Sequence, residues 1–222
     1  MNLLATVLSV FILLFSFQDA KPKYDFEMTI ISHGEENFEG DDYFEGDAYA
    51  EVNRLIHMSK VFPDDPGIIG KIGDAFYRLS DFDHAIEYYT LSLDMAVNDD
   101  WIMRMHWARG LSYYYLERWE EALDDFATAD EYLHALQMTL DRKELVQSKI
   151  AISFFTGDAK ERLLQILDAL DKYEECIQIY ESAEDIDYED AYLECVALSY
   201  ERKLLIDEAE MVRQRMLDFA ED

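Results

Sequence analysis

The chain has 222 residues, with 49 acidic and 19 basic side chains and a formal net charge of −30. That charge excludes nonspecific phosphate-backbone binding as a main activity, since such binding needs clustered Lys and Arg, so no nucleic-acid partner is expected. It favours a basic partner through long-range attraction, and it also keeps a protein soluble. Half of the residues are apolar, 14% are aromatic, and only eight glycines and three prolines interrupt them, so the composition predicts a filled core made mostly of helix.

Residues 1–18 carry no charged side chain, and 3–17 form an apolar run broken only by Ala5, Thr6, Ser9 and Ser16. The run has the length of a signal peptide's apolar centre, whereas a spanning helix needs about 20 residues. The expectation is an exported protein, secreted, periplasmic or lumenal, that loses residues 1–20 as a signal peptide; the minority reading is an uncleaved N-terminal membrane anchor. Residues 21–46 read as an acidic flexible linker around two copies of Phe-Glu-Gly-Asp, at 38–41 and 44–47. A calcium loop fails there, because Tyr43 and Val52 stand where carboxylates belong.

Residues 47–222 read as one helical repeat domain. Asp47 can cap a first helix to about Lys60; Pro63 ends it, and Asp65 with Pro66 provides a cap and a first-turn proline for the next. Helices are then predicted over 66–79, 82–97, 101–116 and 119–135. A third pair opens with Ile150, Ala151, Phe154 and Phe155; Gly157 is expected to stop its first helix, and Asp158 with Glu161 to form a capping box for its second. Leu163, Ile166, Leu170, Tyr173, Ile177 and Tyr180 then step by three and four, which predicts one long helix over 158–184. A last pair is expected near 188–203 and 205–220.

Two of these pairs share one pattern. Gly73, Phe76 and Ala85 have the same spacing as Gly110, Tyr113 and Ala122; Phe82 and Trp119 precede each alanine by three, and Tyr89 and Phe126 follow it by four. Small residues at this spacing let two helices touch with aromatics in the seams beside them. Each unit is then an antiparallel helix pair that only a neighbour can cover, and the fold class is an all-α solenoid.

On these residues, together with Pro63, Asp81 and Ala129, the chain resembles the tetratricopeptide repeat family over about residues 47–220. It departs from the family pattern at Ile69 and His106, where Trp is favoured, and at Arg109, where Leu is. The resemblance implies a right-handed superhelix whose first helices line a concave groove that holds a segment of another protein. The groove-facing places then carry Tyr77, Arg78, Arg104, Trp107, Leu111, Tyr114 and Tyr115, aromatics and arginines of the kind that anchor peptides. Some members of the family clamp a C-terminal carboxylate in this groove. Asp74 stands at one of those places here and would repel it.

Catalysis finds no support in the residues. The five histidines show no metal-ligand spacing, and Gly67, Gly70 and Gly73 with Lys71 lack the spacing and the preceding strand of a phosphate loop. The expectation is a non-catalytic protein-protein interaction module, without cofactor or metal, that binds a protein or peptide ligand in its groove. The alternative is an accessory subunit that docks into a fixed complex, or onto itself, through the helix 158–184. Cys176 and Cys195 flank a turn near 185–186, so an antiparallel hairpin sets them side by side, as a disulfide or as two buried thiols.

Overall fold

The computed structural model describes residues 49–221 except Glu184, with side chains described through Asp207 and at Met211. The expected signal or anchor, the acidic linker and the Asp47 cap lie outside the described residues. Those described form eight helices and no strand, so the fold is all-α, built of TPR-like helix pairs. They fall into two compact units, one ending at Ile152 and the other beginning at Ser153.

In the first unit, α1 spans Ala50–Val61 and buries Val52 and Leu55. α2 spans Pro66–Arg78; Asp65 Oδ1 accepts from the amides of Gly67 at 2.8 Å and Ile68 at 3.3 Å, and Pro66 occupies the first turn, where a missing N–H costs nothing. α3 spans Phe82–Met95 and α4 spans Asp99–Tyr115. Asn98 caps α4 by accepting from the Trp101 amide at 2.7 Å, which starts that helix two residues before the expected 101. α5 spans Trp119–Leu136. α6 spans Arg142–Arg162, is capped by Asp141 on the Lys143 amide at 2.8 Å, and contains the boundary between the units. α7, Ile166–Glu181, and α8, Asp190–Glu221, complete the second unit.

Three turns close in the same way. Ser80, Glu117 and Leu164 take φ of 57°, 61° and 61°, and each stands seven residues after a helical glycine, Gly73, Gly110 or Gly157. Around each, the next residue's N–H reaches back to the carbonyl five before it, Asp81 to Phe76 and Arg118 to Tyr113 at 3.0 Å, and Gln165 to Lys160 at 2.9 Å. The left-handed residue itself donates to the carbonyl three before it, Tyr77 at 2.8 Å, Tyr114 at 3.0 Å and Glu161 at 2.9 Å. This double closure satisfies the last carbonyls of the first helix and turns the chain back antiparallel.

The third closure corrects two expectations. Gly157 does not stop a helix; it lies inside α6, and Asp158 caps nothing but pairs with Arg162 at 3.3 Å. The single helix expected over 158–184 is broken at 163–165. The break lets Tyr173 of α7 pack on Gly157 of α6 and leaves Ala169 fully buried, a gain that outweighs an uninterrupted apolar stripe. Conversely, the last pair expected at 188–203 and 205–220 is the single helix α8. A reversal at Leu204 would bring no aromatic onto Ala197, since the residue sixteen places on is Arg213, so nothing drives the break.

Candidate functional site

The residues assigned to the groove come from α2 and α4, the first helices of the two regular pairs. Trp107, Leu111 and Tyr114 are fully buried and Tyr77 nearly so, which places them inside the packing rather than on an open face. The reason is ring-on-ring contact within and between pairs. Trp107 lies 5.2 Å from Phe126; Tyr114 meets Trp119 at 5.2 Å and Tyr115 at 5.6 Å edge-on; Tyr77 meets Phe82 at 5.5 Å and Tyr115 at 5.9 Å. Each such pair adds about 1 kcal/mol beyond the area it buries, so the rings serve the core first.

Arg104 is also enclosed. Its Nε donates to Asp100 Oδ2 at 3.1 Å and its Nη2 to Glu144 Oε1 of α6 at 3.1 Å, leaving 9% of the side chain exposed. Arg78 differs, for it is half exposed and held by Glu51 of α1 at 2.7 Å, a pair that water screens strongly. Tyr115 is half-buried and lies flat on Phe82, with centroids 5.1 Å apart and planes 11° apart. Of the predicted set, the residues left at the surface are therefore Arg78 and Tyr115, the latter stacked on Phe82, which was not in that set. Phe82 was readable only as a seam residue, and its role beside Tyr115 depends on a packing between pairs that one repeat's pattern does not contain.

Asp74 of α2 is 5% exposed, and its Oδ1 has no hydrogen-bond partner. Burial pushes its carboxyl up to about 7 against the hydrogen bond from Tyr89 and the attraction of Arg78 and Lys71.

The two departures from the family pattern on α4 explain each other. Asp125 of α5 accepts from Arg109 Nε and Nη2, both at 2.8 Å, and pairs with His106 Nδ1 at 2.7 Å; Arg109 Nη1 donates to Thr90 at 3.0 Å. Burial alone would raise the Asp125 carboxyl, yet the bonds from Arg109 and His106 outweigh it and hold it below the ordinary range. The signal was present in the sequence, because Arg109 and Asp125 are sixteen apart, the offset that also joins Gly110 to Phe126.

In the second unit Cys176 and Cys195 are both buried and both free thiols. They lie near enough that Cys176 opposes ionisation of Cys195, after the larger effect of burial. Among the described residues no group of three His, Cys, Asp or Glu is placed to hold a metal ion, and no helix is long and apolar enough to cross a membrane.

No protein-family model matches the chain, and no curated protein matches it. Among solved structures, the crystal structure of MamA matches with a TM-score of 0.52 and 17% identity, over 79% of this chain and 90% of that one. At that identity the likeness shows the fold alone, and it is the TPR-like helical fold that the glycine and aromatic spacing predicts.

Proposed function

We propose that the chain is a non-catalytic protein-interaction scaffold that holds a protein or peptide partner on the first helices of its repeats. The observation that carries this reading is the half-buried Phe82–Tyr115 stack, which spans two successive repeats and whose two rings both meet Tyr77; the half-exposed Arg78 follows Tyr77 on α2. Flat rings and arginines are enriched among the residues that anchor partner chains. The alternative reading, docking through one helix over 158–184, loses its premise, because that span is broken at 163–165. The test is Tyr115→Ala combined with Arg78→Ala, read by circular dichroism and by titration with the partner recovered from the native host. The fold is retained and affinity falls about tenfold or more; unchanged affinity in the folded double variant sinks the site.

We infer an exported compartment from residues 3–17, which have the length and composition of a signal's apolar centre. N-terminal sequencing from the native host reads a mature start near Lys21, or an intact Met1 in the membrane fraction if the segment is an anchor. Full-length protein in the cytosol overturns both.

A further inference from the structure

α7 and α8 run antiparallel, and one side of this hairpin combines apolar side chains with an excess of carboxylates. Leu193, Ala197, Tyr200 and Leu204 of α8 follow one another by four, three and four residues, which sets them in a single row along the helix. All four are exposed, Leu193 at 39%, Tyr200 at 43% and Leu204 at 60%. The row lies beside α7, since Tyr200 OH donates to Glu181 Oε1 at 2.7 Å and Lys203 pairs with Glu174. Leu167, 69% exposed, precedes Glu174 by seven residues and Glu181 by fourteen, so it stands on the same side of α7, about two turns beyond the Lys203–Glu174 contact at the row's Leu204 end.

Charge identifies what such a face accepts. Between Ile166 and Asp207 there are thirteen acidic and three basic side chains. The three cations are already engaged within the unit, Lys172 with Glu175, Arg202 with Glu161 and Lys203 with Glu174. Asp190 and Asp207 continue the row at its two ends, three residues beyond Leu193 and Leu204, and both are exposed. A second copy of the chain would set the same negative field against itself, and the chain's own uncharged residues 3–17 would cover the leucines while leaving the carboxylates unanswered.

We propose that this α7–α8 face docks a basic amphipathic helix of a partner protein, with apolar residues on Leu193, Tyr200, Leu204 and Leu167 and with Lys or Arg toward the flanking carboxylates. This docking mode reads a partner helix at steps of three and four and gains on-rate from charge. It is independent of the Phe82–Tyr115 site, which lies in the other unit.

The test uses the full chain and a fluorescent peptide of about 18 residues with Leu on one helical face and Lys on the other. A matched peptide carrying Glu for Lys serves as the comparison, and binding is read by anisotropy. The Lys peptide binds, more weakly as salt rises, and the Glu peptide does not. Leu193→Ser with Leu204→Ser weakens the Lys peptide more than about tenfold with an unchanged melting curve, whereas Val97→Ser with Met138→Ser, at exposed apolar positions of the other unit, leaves binding as it was. Equal binding by the folded Leu193/Leu204 variant overturns the proposal. So does a photoreactive group in place of Leu204 that crosslinks to the chain's own residues 3–17 or to a second copy.

Discussion

Gly157 of α6 lies against the ring of Tyr173 of α7 so closely that a Cβ on the glycine would stand 2.9 Å from Cε1 and 3.0 Å from Cδ1. The same sixteen-residue offset sets Gly73 against Tyr89, where the distance is 2.7 Å, and Gly110 against Phe126, where it is 2.8 Å. Tyr173 cannot retreat easily, because it is fully buried and its hydroxyl donates to Glu161 at 2.7 Å. Gly157→Ala therefore sets two effects against each other. Alanine favours the helix by about 1 kcal/mol, while forcing a ring out of a packed seam costs about 1–3 kcal/mol. The clash wins, and thermal unfolding followed by circular dichroism gives a lower Tm for the variant; a higher Tm refutes the tight seam.

Arg109 and Asp125 join α4 to α5 by two parallel hydrogen bonds in a site where Asp125 is almost fully buried. Removing the guanidinium leaves a desolvated carboxylate that His106 alone must answer. Arg109→Leu is expected to destabilise by about 3 kcal/mol, and adding Asp125→Ala to recover most of that loss, since the cost lies in the unpaired charge rather than in the absent pair. Urea unfolding of the two single variants and the double variant measures the coupling; additive effects reject it.

The first two repeats were legible because everything that defines them is local. Gly73 and Gly110, their alanines and their aromatics recur at one spacing, and the caps at Asp65 and Asp81 stand where the helices start. The third was misread although its small and aromatic places are present, with Gly157, Ala169 and Tyr173 at the same offsets as Gly73, Ala85 and Tyr89. What hid it was Lys160 in an aromatic place and an apolar stripe that runs through the turn without any residue that favours one. The candidate site was legible only in part. Spacing places Tyr77, Trp107 and Tyr114 on the first helices, but whether a ring faces a partner or another ring depends on contacts between repeats.

Leu164 makes that concealed turn with φ of 61° while the residue is 72% exposed, so it carries the strain of a left-handed backbone and gains little burial in return. For an L residue this conformation costs about 1–2 kcal/mol, and glycine adopts it freely. Leu164→Gly is expected to stabilise by about 0.5–1 kcal/mol, the strain relieved exceeding the entropy that glycine adds to the unfolded chain. Differential scanning calorimetry reads the rise in Tm. A fall would mean that the leucine has a packing role that outweighs the strain.

Asp74 makes stability depend on pH in a direction opposite to most carboxylates. Its folded value of about 7 lies above the ordinary 3.8, first because of burial, with Glu51 adding to the rise and with Tyr89, Arg78 and Lys71 opposing it. A raised carboxyl binds its proton more tightly in the folded state. Its contribution is therefore fully present below about pH 4, is lost as pH rises toward 7, and stays lost above that. Asp74→Asn keeps the shape and cannot ionise, so the variant escapes this loss while sharing every other titration of the chain. The stability difference between variant and parent is expected to grow by about 2 kcal/mol in favour of the variant between pH 5 and pH 8. Denaturant unfolding of both proteins at pH 5, 6, 7 and 8 measures it. A difference that stays flat across that window would show that Asp74 is ionised throughout and that its burial is answered by the groups around it.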